Sequence, residues 1–466
     1  MPQTSYDALI IGSGQAGNPL ATALADTGQR VALIEQNLLG GSCINYGCSP
    51  VKAMLASAER AHQLRTAAAF GIKGSAPQTD LAAVVARKDE IIGAMRAGIR
   101  SNLTREHQGI TVLEGHAAFT GPRSLLFTPP TGPLQELSAK RVFVNTGTRA
   151  AIPAIEGLDG LPYLTTTQLL DLRELPGHLV ILGGGYIGLE FGQMFRRFGS
   201  EVTIVESHRQ LLEREDDDVC AALSQILTDE GVQILLGAKV RLVSRNADGV
   251  FTLTADTAQG ERRVRGTHLL VATGRTPNTD TLGLDKAGIT LDEKGFIQVN
   301  ERLETNVRGV FALGDVHGGP QFTHISYDDY RVVRDNLLTR GKRRSARQRP
   351  LPYCVYTEPQ LGRIGLNESQ AQEQGIPYRV ATMPVSTIGR ARETGRAGGF
   401  WKVLVDEQDR ILGASVLCAE GGELMTMFQL IMMGKLKYPQ LQNMVIAHPS
   451  WAEGLNNVFA KLGKPE

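Results

Sequence analysis

Short apolar runs and amphipathic stretches alternate along the start of the chain. Residues 7–11 end in a run of apolar residues and predict a buried strand. A helix over 20–26 and a second buried strand over 30–34 follow, which together form a βαβ unit. Residues 53–108 carry a helical pattern, and the pattern turns to strands over 110–147.

The same order of elements returns further along the chain. Strands are predicted over 179–182 and 202–205, with a helix over 189–198 between them and a closing strand over 271–274. Strands that alternate with helices in this way favour a parallel sheet. The chain is therefore predicted to be α/β, with two Rossmann-like units.

The remaining pattern is less regular. After Arg275, loops continue until a strand predicted over 309–315. The basic run 340–349 is predicted to be a solvated linker, and 350–466 a further unit of mixed strands and helices. A chain of 466 residues is long enough for about three domains.

Composition excludes several classes of partner. Hydrophobic residues make up 42% of the chain, charged residues 21%, and the formal net charge is +1. This balance favours neither nucleic acid nor an anionic membrane. No apolar run reaches the length of about 18 residues that spans a bilayer, and the N-terminus lacks the basic segment and cleavage site of a signal peptide. We therefore expect a cytoplasmic protein without a membrane segment.

Both α/β units carry G-x-G-x-x-G at the first turn, followed by an acid at the end of the next strand. The first glycine and the acid are 23 residues apart in both copies. This pattern lets a backbone turn and a helix N-terminus approach a pyrophosphate, while the acid can bind a ribose hydroxyl. We expect two dinucleotide sites rather than one site and a degenerate copy. The members are Gly12, Gly14, Gly17 and Glu35 in the first copy, and Gly183, Gly185, Gly188 and Glu206 in the second.

Two of the five cysteines, Cys43 and Cys48, lie close together in sequence. In a regular helix, Cα atoms five residues apart are roughly 8–9 Å from each other, whereas a disulfide needs about 7 Å or less. The pair can bridge only across a bend, which Gly47 permits. Pro50 favours a helix that starts near Cys48, where the helix dipole and Lys52 would stabilise a thiolate. The segment fits a redox-active dithiol; half of a zinc site and two inert thiols are the alternatives, and no resident metal is expected.

Two further sites are candidates for chemistry. Asp315 ends the strand predicted over 309–315, where ligands bind in open α/β sheets, or it caps a helix. His448 precedes a proline, which favours an extended backbone just before a helix start. Glu453 can orient His448, or it can serve only in the capping box that begins at Ser450.

Together these motifs resemble those of the flavoprotein disulfide reductases, the pyridine nucleotide-disulfide oxidoreductases of the glutathione reductase and dihydrolipoamide dehydrogenase type. The resemblance extends from about residue 5 to residue 462 and rests on G-G-S-C-x4-C-S-P-x-K, the two glycine turns, F-A-L-G-D and H-P-S-x-x-E, in the family's order. It implies an FAD-binding domain at 1–150, an NAD(P)H-binding domain at 151–275, a return to the FAD-binding domain at 276–345, and a C-terminal α+β dimerisation domain at 346–466. It also implies a homodimer.

The resemblance further implies the path of the electrons. Hydride would pass from NAD(P)H to FAD, and electrons from FAD to the disulfide and on to an acceptor. Cys48 would contact the flavin, and Cys43 would be the interchange thiol that meets the substrate. Lys52 and Glu190 would form an ion pair beside the flavin, and Tyr186 would cover the nicotinamide pocket until NAD(P)H enters.

His448 and Glu453 resemble the acid–base dyad that one subunit supplies to the other. The residues implied to contact FAD are Gly12, Gly14, Gly17, Glu35, Gly41, Ser42, Lys52, Ala117, Thr146, Gly147, Asp315, Gln321, Phe322, Thr323 and His324. Those implied to contact NAD(P)H are Gly183, Gly185, Ile187, Gly188, Glu206, Val240 and Gly274. Because Glu206 can accept from a ribose 2′-hydroxyl and would repel a 2′-phosphate, NADH is predicted to be preferred over NADPH.

Within the family, segments 321–330 and 388–392 look most like the mercuric-reductase-like group, which includes reactive-chlorine-resistance flavoproteins that act on copper(II). Mercury is not the expected acceptor, because the C-terminal cysteine pair and the N-terminal metal-binding domain of true mercuric reductases are missing here, and Tyr46 replaces a small branched residue between the cysteines. We expect a disulfide, a metal ion or another oxidised small molecule. The alternatives are a diaphorase or NADH oxidase whose flavin reduces quinone, oxygen or metal ions directly, a dihydrolipoamide dehydrogenase, and an FAD-binding redox sensor.

Overall fold

The structure is a computed structural model that describes residues 3–75, 77–341 and 343–462. The other positions, among them the last four of the predicted segment 346–466, lie outside the described residues. Within the described ranges, no helix is both long enough and apolar enough to cross a membrane.

The first part of the chain builds a largely parallel sheet. In the order β3-β2-β1-β6, the strands run parallel, and β5 and β4 extend the sheet in antiparallel fashion. Ala8, Leu9 and Ile10 are fully buried, as expected for a strand that is covered on both faces. The elements are β1 (Gln3–Ile11), α1 (Gly17–Ala25), β2 (Val31–Glu35), α2 (Gly41–Asn45), α3 (Cys48–Thr66), α4 (Leu81–Ser101), β3 (Ile110–Glu114), β4 (His116–Gly121), β5 (Ser124–Thr128), β6 (Gln135–Val144) and β7 (Thr148–Ala150).

The helical stretch predicted over 53–108 is the packed pair α3 and α4. Helix α3 begins at Cys48, so that Pro50 lies in its first turn, where a missing amide proton costs no hydrogen bond. Asp80 precedes α4 and its carboxylate accepts from the Ala83 N–H at 3.0 Å, which caps the helix. The short turns that follow these helices are the 3₁₀ turn Ala67–Phe70 and the π-helical turn Asn102–Glu106.

The elements of the second part are α5 (Thr166–Leu169), β8 (His178–Leu182), α6 (Tyr186–Phe198), β9 (Glu201–Val205), α7 (Asp217–Asp229), β10 (Gln233–Leu235), β11 (Lys239–Arg245), β12 (Phe251–Thr257), β13 (Gly260–Gly266) and β14 (His268–Val271). A second parallel sheet has the strand order β10-β9-β8-β14, and β11, β12 and β13 form an antiparallel sheet. Helix α6 begins at Tyr186, three residues before the start predicted from its apolar face, because the glycine turn leads directly into the helix.

The chain then returns to the first sheet through β15 (Arg275–Pro277), α8 (Leu284–Ala287), β16 (Val310–Ala312) and α9 (Thr323–Leu338). Strand β15 pairs antiparallel with β7, and β16 pairs parallel with β6. The strand predicted over 309–315 is therefore shorter than expected. Asp315 lies just beyond it, in the 3₁₀ turn Gly314–His317.

The prediction that the basic run 340–349 is a solvated linker is wrong for Arg344 and Arg349, whereas Arg340, Arg343 and Arg347 are exposed. Arg344 pairs with Asp328 at 3.0 Å, and Arg349 pairs with Asp329 at 2.6 Å. Asp329 is fully buried, so a guanidinium partner is needed to offset the loss of its hydration. The run is thus fastened to α9.

The last part is an antiparallel sheet in the order β17-β18-β21-β20-β19, with α12 packed on β18 and β21. Trp401 and Phe428 form its core, with their rings 5.8 Å apart and nearly perpendicular. The elements are β17 (Tyr353–Val355), β18 (Gln360–Gly365), α10 (Glu368–Glu373), β19 (Arg379–Pro384), α11 (Gly389–Glu393), β20 (Phe400–Val405), β21 (Ile411–Cys418), α12 (Gly421–Met433), α13 (Tyr438–Gln442) and α14 (Gly454–Asn457).

Candidate active site

A cavity of about 930 Å³ joins the first glycine turn to the cysteine pair. Its walls come from the first sheet, from the start of α6 and from the segment before α9. The predicted site residues that line it are Gly12, Gly14, Glu35, Gly41, Ser42, Cys43, Cys48, Lys52, Ala117, Thr146, Gly147, Tyr186, Ile187, Glu190, Asp315, Gln321, Phe322, Thr323 and His324.

The first glycine turn is held against the end of β6 by Asn145. Gly12 has a φ of 101°, and a Cβ there would lie 2.3 Å from the Asn145 carbonyl oxygen. The Gly17 N–H donates to the Asn145 Oδ1 at 2.9 Å. Glu35 accepts from the Ser13 N–H at 2.9 Å and the Ser13 hydroxyl at 2.7 Å. The turn therefore presents bare backbone to the cavity, as a pyrophosphate requires.

The cysteine segment lies directly over this turn. A Cβ on Gly41 would come within 2.7 Å of the Gly14 Cα, so only glycine permits the close approach. Cys43 lies in the short helix α2, and Cys48 opens α3 after a bend at Gly47. Both cysteines are thiols in this structure.

The two thiols are electrostatically unequal. The Cys43 thiol donates a hydrogen bond to the Cys48 sulfur, and the Thr323 hydroxyl and Lys52 add to its effect, which lowers the pKa of Cys48 to about 6. The same donation, together with burial, raises the pKa of Cys43 well above its usual range. Of the two sulfurs, Cys48 therefore carries the negative charge near neutral pH.

Lys52 and Glu190 form an ion pair that joins α3 to α6. The Lys52 ammonium lies 2.7 Å from the Glu190 Oε2, and Glu190 is almost completely buried. The other oxygen of Glu190 accepts from the Tyr356 N–H at 3.0 Å. Lys52 also lies 4.4 Å from the centre of the Tyr356 ring, a cation–π contact. Lys52, Glu190 and Tyr356 therefore each contact the other two, near Cys48.

Aromatic rings contribute to the cavity wall. Phe322 stacks on Tyr353 and on His324, each at 5.4 Å between ring centres, and lies 6.1 Å from Tyr186. Burial raises the pKa of Tyr186 to about 12, so its phenol stays protonated. The ring of Tyr186 thus rests against the cavity as a neutral, half-buried group.

Asp315 faces the cavity from its 3₁₀ turn. Its Oδ2 accepts from the Thr148 hydroxyl at 3.1 Å and lies 3.8 Å from the Arg275 Nε. Burial raises its pKa above the ordinary value, and Arg275 opposes that shift. The geometry leaves a carboxylate oxygen able to accept from a bound polyol.

The glycines of the second turn do not line this cavity, although Tyr186 and Ile187 of the same turn do, and the second turn repeats the geometry of the first. Gly183 has a φ of 113°, and a Cβ there would lie 2.4 Å from the Ala272 carbonyl oxygen. Glu206 accepts from the Gly184 N–H at 2.5 Å, from the His208 N–H at 2.8 Å and from the His208 ring at 2.7 Å. Burial opposes the ionisation of Glu206, but these donors hold its pKa below the ordinary value.

The remaining predicted coenzyme residues are not all alike. Gly188 packs against the Gly183 carbonyl, where a Cβ would come within 2.1 Å, and Gly274 follows the end of β14. Val240 lies in the hydrophobic core between β11 and the second parallel sheet. The side chain of Val240 therefore packs in this core, and its contact with NAD(P)H stays a prediction.

His448 and Glu453 lie together but are not among the residues that line the cavity of their own chain. The His448 Nδ1 is 2.9 Å from the Glu453 Oε1, and the other oxygen of Glu453 accepts from the Ser450 N–H at 2.8 Å. One carboxylate thus serves both the dyad and the capping box. The hydrogen bond to Glu453 raises the pKa of His448, whose side chain is 73% exposed.

Several site residues escaped sequence reasoning. Asn145 joins Gly17 to the Leu313 carbonyl, and Tyr356 completes the set around Lys52. Asn145 could have been found from its place at the carboxyl end of a strand, directly before Thr146 and Gly147. Tyr356 carries no such signal, since only the fold brings it near Lys52.

Residues 6–329 match the family described as pyridine nucleotide-disulphide oxidoreductase, and residues 351–459 match the dimerisation domain of that family. The chain belongs to this family. It is an NAD(P)H-dependent flavoprotein disulfide reductase that uses FAD, with the α/β and dimerisation domains that the sequence predicted.

Individual relatives show which members of the family this chain is similar to. The chain is 41% identical over 459 residues to a probable pyridine nucleotide-disulfide oxidoreductase, RclA, from Escherichia coli (strain K12), covering 98% of this chain and 99% of the relative. It is 35% identical to a mercuric reductase from Streptomyces lividans, covering 91% and 89%. The solved Cu(II) complex of the HOCl-induced flavoprotein disulfide reductase RclA from Escherichia coli superimposes with a TM-score of 0.89 at 40% identity, covering 98% and 99%.

Proposed function

We propose that Cys43 and Cys48 are the redox centre through which this reductase passes electrons from NADH to an oxidised acceptor. The observation that carries the proposal is the pair of unequal thiols at the cavity wall, next to the buried Lys52–Glu190 ion pair. A thiolate adjacent to an uncharged thiol is the arrangement that dithiol exchange needs.

The first glycine turn and its cavity fit FAD. Backbone at Gly12 and Gly17 would hold the pyrophosphate, Glu35 the ribose and Asp315 the ribityl chain, because a Cβ at the glycines would meet backbone and the two acids offer oxygens. Bound FAD would take up hydride from the coenzyme and supply two electrons to the disulfide. We propose the second turn, with Glu206, as the NADH site, which the surrounding donors keep ionised.

The chain's own groups can then complete the exchange. Two electrons and one proton convert the disulfide to a Cys48 thiolate and a Cys43 thiol. His448 removes the proton from Cys43, and the new thiolate attacks an acceptor disulfide, forming a mixed disulfide and releasing one thiolate, which takes the proton from His448. The Cys48 thiolate then attacks the Cys43 sulfur, which restores the disulfide and releases the second thiolate.

We place His448 on the partner subunit of a homodimer. His448 does not line the cavity of its own chain, while α12 exposes Leu430 and Met433 at 63% and 67% of their surface. The matched dimerisation domain supports association through this part of the chain.

We also propose that the domains are 1–150, 151–275, 276–345 and 346–466. The return of the chain to the first sheet, where β16 pairs with β6, supports this division. NADH as reductant also fits a cytoplasmic location.

The acceptor is proposed to be a metal ion, such as Cu(II), or a disulfide. One similar solved structure is the Cu(II) complex of a flavoprotein disulfide reductase, and several relatives are mercuric reductases. A screen that follows NADH absorbance with metal ions, disulfides and quinones tests this. In Cys43→Ser, turnover of a dithiol-dependent acceptor should be lost, whereas an acceptor reduced directly at the flavin would still turn over and would identify a diaphorase.

The role of His448 across the dimer has its own test. A Cys43→Ser subunit and a His448→Ala subunit, each inactive as a homodimer with a dithiol-dependent acceptor, are mixed and the heterodimers isolated. If His448 acts in trans, each heterodimer keeps one complete site and recovers about half of the wild-type activity per dimer. Verified heterodimers without activity would show that His448 does not act across the interface.

A further inference from the structure

Tyr353 stacks on Phe322 but does not itself line the cavity proposed for FAD. The centres of the two rings are 5.4 Å apart and the rings are almost parallel, at 7°. Phe322 lines the cavity, whereas Tyr353 is not among the residues that do. The separation lies in the range that stacked aromatic rings prefer. The place of the Phe322 ring in the cavity wall therefore depends on where Tyr353 is held.

The phenol of Tyr353 is anchored to a buried ion pair. Its hydroxyl donates to Glu215, whose other carboxylate oxygen lies 3.2 Å from the Arg363 Nε. The side chains of Glu215 and Arg363 are each only 3% exposed, so separating them would leave an uncompensated buried charge. Burial and the charge of Glu215 raise the pKa of Tyr353 well above its usual range, so the phenol stays protonated and donates.

Glu215 comes from the loop that Glu206 opens, between β9 and α7, in the unit proposed to bind NADH. The Glu215 N–H donates to the Leu212 carbonyl at 2.8 Å, and the Leu212 N–H donates to the Gly184 carbonyl at 3.1 Å. Gly184 belongs to the second glycine turn. The Tyr353 hydroxyl is therefore connected, through Glu215 and two backbone hydrogen bonds, to the turn proposed for the coenzyme.

Phe322 also lies next to Tyr186, which belongs to both sites. Tyr186 is the first residue of α6, directly after the second glycine turn, and it lines the cavity. Its ring centre is 6.1 Å from that of Phe322. A nicotinamide that reaches the cavity from the second turn would therefore enter beside these two rings.

We propose that Tyr353 and Glu215 are positioning residues for hydride transfer, because they hold the Phe322 ring where it sets the place of the nicotinamide in the cavity. The proposal rests on the proposed sites for NADH and FAD. The step moves two electrons and one proton together, so that NADH and FAD give NAD⁺ and FADH⁻. Such a step is sensitive to position, since a displacement of about 1 Å can cost about 100-fold in rate.

Tyr353→Phe tests the hydroxyl and keeps the stacked ring. Anaerobic stopped-flow absorbance follows FAD reduction over a series of NADH concentrations, which gives the limiting rate and the apparent Kd separately. The limiting rate should fall about tenfold, while Kd stays within about twofold of the wild type. FAD content and the rate of reduction by dithionite should not change. A bond that only stabilised the fold would lower the melting temperature without this split.

Two comparisons isolate the path through Phe322. Tyr378→Phe is the matched control, because the Tyr378 hydroxyl also donates to a carboxylate, that of Glu368 at 3.2 Å, in the last part of the chain. It should leave the limiting rate unchanged. Phe322→Leu should itself slow the reduction, and Tyr353→Phe added to it should slow it by less than about twofold more, since residues that share one contact are not additive. A further tenfold loss in the double variant would overturn the path through Phe322.

Hydrogen exchange of the protein without NADH gives a readout that does not depend on turnover. The Phe322 carbonyl accepts from the N–H groups of Ile325 and Ser326, each at 3.0 Å, so the amides of segment 321–326 report how firmly this turn is held. In Tyr353→Phe these amides should exchange at least about threefold faster than in the wild type. Tyr378→Phe should exchange there like the wild type.

A second variant covers the loss of FAD. If Tyr353→Phe does not retain FAD, Glu215→Asp is measured in the same way, because it keeps a charge for Arg363 and draws the carboxylate back from the phenol. In the variant that retains FAD, a limiting rate within about twofold of the wild type, or unchanged exchange over 321–326, overturns the proposal. Failure of NADH to reduce the FAD of the wild type would instead contradict the proposed function itself.

Discussion

The two glycine turns of this chain share the same backbone geometry. They differ in how many contacts the rest of the protein makes with them. In both, the first glycine has a positive φ and a Cβ would strike the carbonyl at the end of the neighbouring strand, at 2.3 Å for Gly12 and 2.4 Å for Gly183. In both, the acid accepts from the N–H of the next residue in the turn. These shared constraints come from the backbone of the turn and from the side chain of its acid.

The middle glycine and the residue before it differ. A Cβ on Gly14 would lie 2.8 Å from the Asn145 Oδ1, whereas a Cβ on Gly185 would meet nothing within 4 Å. Ser13 bonds to Glu35 and accepts from the Gly40 N–H, while the equivalent Gly184 has no side chain. The first turn is thus locked to the cysteine segment, which suits a resident cofactor. The second is open, which suits a coenzyme that must enter and leave.

The largest expected effect comes from the first glycine of each turn. Gly12→Ala should destabilise the protein by about 2–6 kcal/mol, because it combines an unfavourable φ with a backbone clash, and the purified protein should lack most of its FAD. Gly183→Ala meets the same clash in the other turn, and should keep its FAD while its reduction by NADH slows at least about 100-fold. FAD absorbance and stopped-flow reduction measure both, with dithionite reduction as the control. Equal FAD loss in the two variants would show that the turns are not independent.

The middle glycine sharpens the contrast. Gly185→Ala should leave FAD content and melting temperature unchanged, since its Cβ has open space, but should raise the KM for NADH about tenfold through contact with the coenzyme. Gly14→Ala should do the reverse, because its Cβ displaces Asn145 from Gly17 and so weakens FAD retention. A normal KM for NADH in Gly185→Ala would place the coenzyme elsewhere.

Glu206 and Glu35 should differ in their effect on the preference for NADH over NADPH. Glu206→Gln should shift the ratio of kcat/KM for NADH over NADPH by about tenfold toward NADPH, because the variant no longer repels a 2′-phosphate. Glu35→Gln should leave that ratio unchanged. Since the pKa of Glu206 lies below its ordinary value, the carboxylate stays charged above that range, and the wild-type ratio should be flat from pH 7 to 9. A ratio that titrates in this range would assign the preference to another group.

The smallest expected effect concerns Ser13. Ser13→Ala removes the hydroxyl that links Glu35 to the Gly40 N–H, and should lower the free energy of unfolding by about 1 kcal/mol. NADH kinetics should not change. Urea titration followed by flavin fluorescence measures the loss, and an unchanged midpoint would mean that the link between the turn and the cysteine segment adds nothing to stability.

Features that depend on neighbours in sequence were predicted well. Both βαβ units, the start of α3 at Cys48 and the capping use of Glu453 follow from periodicity, proline and cap chemistry that act within a few residues. The family resemblance correctly paired Lys52 with Glu190, which are 138 residues apart. Periodicity alone could not have done so.

Features that depend on distant contacts were missed or wrong. Thr323 reaches Cys48 across 275 residues, and Tyr356 reaches Glu190 across 166, which no local pattern records. Arg349 belongs to a run that composition assigns to solvent, yet a buried acid on α9 holds it. The family resemblance implied that Val240 contacts the coenzyme; its side chain lies in the hydrophobic core, and the coenzyme contact stays a prediction.

The return of β16 to the first sheet has a consequence for how the protein is made. The Asn145 amide donates to the Leu313 carbonyl, 168 residues later, and the entire second sheet is translated in between. At about 5–20 residues per second, a ribosome needs roughly 8–34 seconds to cover that distance. During this time the second unit can emerge complete, whereas the first lacks its last parallel strand and the turn that carries Asp315. If Asp315 holds FAD as proposed, we expect FAD capture to follow the synthesis of this turn.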